Sequence, residues 1–362
     1  MTEQPKYLVV ADTLRREIAE GVFTDGQTLM TEEELRLRFN VSRQTVRQAI
    51  ALLEDDGLVD RRRGSGTYVR HGPRQHQGSI SVGVITTYIT DYIFPNIVGG
   101  IENVLSENGC VMSLSATYND PKTERAILER MIAGGVDGLI VEGTRTAEET
   151  TNRDLYQRLA ERNIPVLFMN TYYPALSGRP HVIMDDYGGG RMAAREIITR
   201  GYRKPAFMFK EDDLQGPERG RGFMDEITMR GIDVPEENKL WFTTEDRMNL
   251  FASERARAFL NRLADGKSAD CLVCYNDVFA INVISALADL GCRVPEDLGM
   301  ISFDNAYFAE VNRPALTTLG HPKEEFGAMA AEKLLRMIEG EKERSVSMSW
   351  TLVERDTLPR RG

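Results

Sequence analysis

Along the first seventy positions the apolar residues recur at helical spacing. Val10, Leu14 and Ile18 form an i, i+4, i+8 stripe that predicts a helix over residues 7–20, with Gly21 as its stop. Thr31 followed by Glu34 reads as a capping box, and Leu35 with Phe39 supplies the buried face of a short second helix. Ser42 caps a third helix, whose apolar face is Val46, Ala49, Ile50 and Leu53 and which ends before Gly57. Residues 58–62 and 67–70 then read as two strands around Arg63, Gly64, Ser65 and Gly66, a hairpin tip that admits positive φ.

A polar stretch follows, RHGPRQHQG, with Gly and Pro and no hydrophobic period. It predicts a unit at residues 1–70, a linker at 71–78 and a second unit at 79–362. Within the second unit, apolar runs of strand length alternate with amphipathic helical segments. SVGVITT, VMSLSAT, DGLIVEG, IPVLFMN and HVIMDD form a first series of strands, and PAFMFK, LWFTT, DCLVCYND and LGMISFDN a second. Such βαβα repetition predicts an α/β unit of two lobes, each with a doubly wound, mostly parallel sheet, and a cleft between them. The first lobe is expected over about 79–184 and 323–341, the second over about 185–320 and 342–362.

Ligands of open parallel sheets bind outside the C-terminal strand ends. There the chain places residues 88–94, among them Tyr92 and Phe94, then Glu142, Asn170, Gln215 with Arg219, Asn276 with Asp277, and Asp304 with Asn305. Carboxylates, amides and an arginine can bond neighbouring hydroxyls while aromatic rings cover C–H surface, so this set predicts a small neutral sugar. It lacks the surplus of cations that a phosphate or carboxylate ligand would need.

Charge changes the picture of the first unit. The chain as a whole carries −10, yet from Arg36 to Arg70 eight arginines stand against four acids, a local net of about +4 and a phosphate-facing footprint. Arg43 and Arg47 are four apart and leave the third helix on one side, with Gln44 beside them. Arginine can read guanine and glutamine adenine in a major groove, so this face suits sequence readout as well as phosphate contact.

Composition bounds the remaining classes. At 362 residues, 41% hydrophobic and 28% charged, the chain can hold two or three cores. Its first residues lack a basic stretch leading into an apolar one, and no window approaches ~18 apolar residues, so the cytoplasm and no membrane partner are expected. Four cysteines are too sparse for a disulfide framework. Cys271 and Cys274 have the CxxC spacing but fall in a strand, where i and i+3 face opposite ways and cannot chelate one ion. Gly188, Gly189 and Gly190 precede a helix without the lysine and hydroxyl of a phosphate loop, and the four histidines show no metal or triad spacing. Neither a catalytic set, nor a metal, nor a cofactor is expected.

The wording of the first unit, TEEELRLRFNVSRQTVRQAIALLEDDGLVDRRRGSGTYV, resembles the GntR family of winged-helix regulators, with Met30 where that family usually has proline. That resemblance implies DNA-facing roles for Glu32, Arg43, Gln44, Thr45 and Arg47, plus Arg63 and Gly64 of the wing. From about residue 79 onward DGLIVEG, the Asp185-Asp186 pair before a glycine-started helix, YND, and DLGCRVPEDLGMISFDN with RPALTTLGHP resemble the LacI-type effector domain, built like a periplasmic binding protein. TTYITDYIFP, FKEDDLQGPERGRGF, CYNDVFAINVI and LGHPKEEFG are similar to the arabinose repressors of Gram-positive bacteria, which join the same two halves. The resemblance implies a homodimeric repressor on a palindromic operator, released by a neutral sugar, with L-arabinose first among candidates and Lys323 added to the effector-binding residues. Another sugar or polyol as effector, or a sugar-processing protein with an accessory DNA-binding module using Glu142 and Asp304 as acid and base, stays open at this level.

Overall fold

In the computed structural model the described residues are 5–19, 22, 23, 26–62, 65–69, 79–90 and 93–361. The chain divides into two compact units, Met1–Gly78 and Ser79–Gly362.

In the first unit, helices α1 (Lys6–Ala19), α2 (Glu32–Phe39) and α3 (Arg43–Asp55) precede a hairpin of β1 (Val59–Arg62) and β2 (Gly66–Val69). Val10, Leu14 and Ile18 meet Val46, Ile50 and Leu53, and Val59 and Val69 of the hairpin close the same core. The capping box forms as the spacing predicts: Thr31 N–H donates to Glu34 Oε2 at 2.7 Å and Glu34 N–H to Thr31 Oγ1 at 3.2 Å. Ser42 Oγ accepts from Thr45 N–H at 3.1 Å and starts α3. The strands pair antiparallel with Arg62 opposite Gly66. The hairpin tip with Arg63 and Gly64, and the linker at 71–78, lie outside the described residues.

The second unit opens with β3 (Ser81–Thr86), α4 (Phe94–Glu107), β4 (Val111–Ala116), α5 (Pro121–Gly134), β5 (Gly138–Val141), α6 (Arg153–Glu161), β6 (Val166–Met169) and β7 (His181–Met184). The chain then crosses to the second lobe, with α7 (Asp186–Thr199), β8 (Pro205–Lys210), α8 (Gln215–Met229), β9 (Lys239–Phe242), α9 (Glu254–Leu263), β10 (Cys271–Cys274), α10 (Asp277–Asp289), β11 (Gly299–Asp304), α11 (Tyr307–Val311) and β12 (Thr318–Gly320). It returns for α12 (Lys323–Ile338) and β13 (Val346–Met348), and crosses a third time to β14 (Thr351–Val353). Two six-stranded sheets result, ordered β13-β7-β6-β5-β3-β4 and β14-β12-β11-β10-β8-β9. Every pairing is parallel except that of β12 with β14.

One expected boundary moves. The first lobe's returning segment runs to Met348 rather than to about 341, because Val346–Met348 pair with Val182–Met184 and extend that lobe's sheet. Strands β5, β6, β8, β10 and β11 are buried throughout, as continuous apolar runs covered on both faces must be. Cys271 and Cys274 are buried free thiols in β10.

The glycine run also finds its reason in packing. Asp185 caps α7 by accepting from Gly188 N–H at 2.9 Å, so the helix begins at Asp186 and the run lies within its first turns rather than before it. A Cβ on Gly190 would sit 2.0 Å from the Arg219 carbonyl oxygen, and one on Gly222 2.0 Å from that of Tyr187. Helices α7 and α8 therefore touch backbone to backbone.

Candidate functional site

Two groups of expected residues can be placed. On the first unit, Arg43, Gln44 and Arg47 are exposed on one face of α3, and Thr45 is half-buried beside Ser42. Glu32 does something its sequence position did not reveal. Its carboxylate accepts from Arg43 Nε at 3.0 Å and Arg47 Nε at 3.0 and 3.1 Å, and Arg61 of the hairpin approaches to 3.6 Å. Partial burial works against its ionisation, but the hydrogen bonds from Arg43 and Arg47 outweigh it and hold the carboxyl below its usual range. Glu32 gathers three cations from two elements onto one surface, and so orients the arginines.

In the second unit a cavity lies between the lobes at both topological switch points. In the first lobe the chain leaves β3 toward β4 on one side and β5 on the other; β8 with β9 and β10 repeats this in the second. Loops diverge there and leave room. The cavity is lined from the first lobe by Thr87, Tyr88, Phe94, Glu142 and Asn170, and from the second by Lys210, Asp213, Gln215, Arg219, Arg247, Tyr275, Asn276 and Asp304. Expected residues Phe94, Glu142, Asn170, Gln215, Arg219, Asn276 and Asp304 thus converge from six strand ends. Tyr92 falls outside the described residues.

Other expectations are corrected. Lys323 does not line the cavity; its ammonium donates to the Asn305 carbonyl at 3.0 Å. Asp277 is wholly buried and ties three elements together, bonding Ser302, the Ala306 N–H at 2.7 Å and Thr318 Oγ1 at 2.8 Å. Asn305 accepts from Arg355 at 2.8 Å. These neighbours of cavity-lining residues brace the loops. Asn276 does both jobs, since its Oδ1 caps α10 through Phe279 N–H at 3.1 Å while it lines the cavity. Lys210, Asp213 and Arg247 were missed. The first two follow the strand-end rule applied one turn earlier in FKEDDLQ, whereas Arg247 comes from an irregular loop after β9 that carries no sequence signal.

Carboxylates hold two of the cavity's cations, Arg219 and Lys210. Arg219 donates to Asp186 Oδ1 at 2.8 Å and to the Tyr275 carbonyl at 2.7 Å, and stands 4.0 Å from Asp304. Its guanidinium packs on the rings of Phe303, Trp350 and Tyr275 at 4.3, 4.9 and 5.0 Å. Burial works against its charge, but Asp186 and Asp304 outweigh it and hold its pKa above the ordinary arginine value. Lys210 is bonded to Asp213 with Asp212 at 3.4 Å, and Arg247 lies over Tyr88 at 4.1 Å. Glu142 accepts from the Thr87 N–H and Oγ1, both at 2.7 Å, and from Asn170 Nδ2 at 3.0 Å. Burial nonetheless pushes its carboxyl up to about 7. A carboxylate has about four acceptor sites, so the three bonds leave about one unused on a residue that lines the cavity.

Comparison with known proteins agrees with both halves. Residues 6–69 match the family described as bacterial regulatory proteins, gntR family, and residues 194–358 the periplasmic binding protein-like domain. An arabinose metabolism transcriptional repressor of Geobacillus stearothermophilus is 38% identical over 98% of this chain and 96% of its own length, and one from Halalkalibacterium halodurans 33% over 97% and 94%. Among solved structures, a periplasmic binding protein/LacI transcriptional regulator from Alkaliphilus metalliredigens complexed with D-xylulofuranose has a TM-score of 0.67 at 25% identity, covering 77% of this chain and 99% of that one. Among the described residues no helix is long and apolar enough to cross a membrane. Relatives alike over nearly their whole length are regulators rather than enzymes, and with both domains matched in the same order this chain belongs to the family of arabinose metabolism transcriptional repressors, DNA-binding proteins that join a GntR helix-turn-helix to a periplasmic-binding-protein-like domain.

Proposed function

We propose that the repressor binds a palindromic operator as a homodimer through the Arg43, Gln44 and Arg47 face, and that L-arabinose in the interlobe cavity lowers its operator affinity. The observation that carries the ligand class is that carboxylates already engage Lys210 and Arg219. Lys210, Arg219 and Arg247 face Glu142, Asp213 and Asp304, and the acids hold Lys210 and Arg219 already. A phosphate or carboxylate would have to break those pairs. A neutral polyol instead adds hydroxyl bonds while leaving the Lys210 and Arg219 pairs in place, with Phe94, Tyr88 and Phe279 available to its C–H faces. The naming of near-full-length relatives for arabinose metabolism selects the sugar among polyols. A ligand can change operator affinity only through its unequal affinity for two lobe arrangements, and a cavity walled by both lobes supplies that inequality. Calorimetry with L-arabinose, D-xylose, D-ribose and D-galactose, paired with operator mobility shifts, tests the reading. L-Arabinose is expected to bind at least tenfold more tightly than its competitors and to release the operator, since a misplaced hydroxyl leaves buried partners unsatisfied; equal binding of all four sugars would overturn the assignment.

A further inference from the structure

The three chain crossings between the lobes follow β7, β12 and β13 and lie toward one edge of each sheet; β4 and β9 are the strands at the other edge. Neighbouring strands are about 4.8 Å apart, so β4, four strand spacings from β7, is roughly 19 Å from the nearest crossing strand. A contact at that far edge has the longest lever. A hinge rotation of roughly 10° displaces it by about 3 Å, enough to break a hydrogen bond.

One side chain spans the lobes there with both ends used. Asn119, in the loop after β4, is fully buried and sits at φ 59, a conformation asparagine tolerates better than most residues. Its Oδ1 accepts from Arg145 N–H at 2.9 Å within the first lobe. Its Nδ2 crosses to the second lobe and donates to Thr244 Oγ1 at 2.6 Å and Asp213 Oδ1 at 3.1 Å. Around it, Ala147 N–H donates to the Asp212 carbonyl at 3.2 Å and Leu214 N–H to Thr146 Oγ1 at 3.0 Å. Arg145 also pairs with Glu245 at 2.9 Å at the exposed rim. Asn119 itself does not line the cavity, whereas Asp213 does.

We propose that Asn119, with Thr244 as its receiving partner, is the interlobe latch of this repressor: a positioning residue that holds the lobes together at the hinge-distal edge and that senses the ligand through Asp213. A sugar hydroxyl bonded to Asp213 or Lys210 fixes the carboxylate that Asn119 needs, and the closed latch in turn fixes the carboxylate that the sugar needs. Each therefore strengthens the other without contact between Asn119 and the ligand. The ligand part of this coupling rests on the sugar reading above; the latch itself does not.

The test measures hydrogen exchange on the full-length chain, without and with L-arabinose, for wild type, Asn119→Ala and the nearly isosteric Thr244→Val. In the sugar-free protein both variants are expected to speed exchange at the Ala147 and Leu214 amides about tenfold or more while β5 and β8 keep their rates, and L-arabinose affinity is expected to fall at least tenfold through faster dissociation. The double variant should lose no more than the worse single one, because both remove the same bond. Unchanged exchange at Ala147 and Leu214 in a folded Thr244→Val protein overturns the latch. Should wild type bind no pentose, the effector reading fails, and the sugar-free exchange still decides the latch.

Discussion

Arg219 and Asp304 show how far a residue's burial changes what its substitution reports. Arg219 is 3% exposed and stands between the carboxylates of Asp186 and Asp304 with aromatic rings around it. Removing it leaves buried carboxylates without their cation, so Arg219→Ala is expected to destabilise the effector unit by roughly 3–5 kcal/mol as well as abolish sugar binding. Asp304→Asn is the cleaner probe. Its backbone lies at φ 98, which asparagine tolerates, and the change removes charge while keeping shape. We expect sugar affinity to drop by about 1–3 kcal/mol by calorimetry with operator affinity unchanged in mobility shifts; intact sugar binding would remove Asp304 from the site.

Titration at the same scale has a definite sign. Burial pushes Glu142 up to about 7, Asp186 up to about 6 despite Arg219, and Asp277 up to about 7. Each folded-state value is raised above the ordinary carboxylate value. The stability they contribute is therefore complete below about pH 4, and is lost as pH rises through 6 to 7. For Glu142 alone the loss is on the order of 3 kcal/mol at most. Urea denaturation of the effector unit should show stability falling from pH 5 to pH 8, with a shallower slope in Glu142→Gln; a slope identical to wild type would mean that Glu142 is ionised throughout.

At the scale of elements, α3 and the α7/α8 pair carry separate consequences. Glu32 ties Arg43, Arg47 and Arg61 together, so the surface proposed to face DNA is assembled before any nucleic acid arrives. Arg43→Ala and Arg47→Ala should each cost ~1–3 kcal/mol of operator affinity at fixed salt and leave sugar calorimetry unchanged. Unaltered operator binding by both would displace α3 as the reading helix. The α7/α8 contact is a different kind of constraint. Gly190 and Gly222 face carbonyl oxygens at distances no side chain fits, so Gly222→Ala must push the helices apart and should lower stability by about 1–3 kcal/mol. Because Gln215 and Arg219 sit on the first turns of α8, the same change is expected to weaken sugar binding more than a surface substitution would.

At the scale of the whole molecule, each unit has its own core. Val10, Leu14, Val46, Ile50, Leu53 and Val69 belong to one, and the sheets and helices of residues 79–362 to others. Residues 79–362 expressed alone should therefore fold and bind L-arabinose with wild-type affinity. The first 70 residues alone should bind the operator more weakly by orders of magnitude, since the proposed homodimer would no longer tether a second half-site reader. Full-strength binding by the isolated piece in a mobility-shift titration would show that pairing contributes nothing.

What the sequence determined is what local chemistry determines. Helices α2 and α3 begin at Thr31 and Ser42 because a side-chain oxygen there satisfies backbone N–H groups, and β8, β10 and β11 are continuous apolar runs because both their faces are covered. The strand-end rule found Glu142, Asn170, Gln215, Arg219, Asn276 and Asp304 because a parallel sheet delivers every strand's C-terminal end to one side. The tertiary structure alone decided which polar residue at a strand end lines the cavity and which braces its neighbour. Asp277 and Asp304 look alike along the chain, yet one points to Ser302 and Thr318 and the other lines the cavity. It likewise turned Lys323 away, brought in Arg247 from an irregular loop, set Glu32 among three arginines, and set Asn119 against Thr244 across 125 positions of sequence. Those outcomes depend on how one lobe meets the other and how one element meets the next. No periodicity or spacing within a single segment encodes them, because the partner that fixes each side chain lies in another part of the chain.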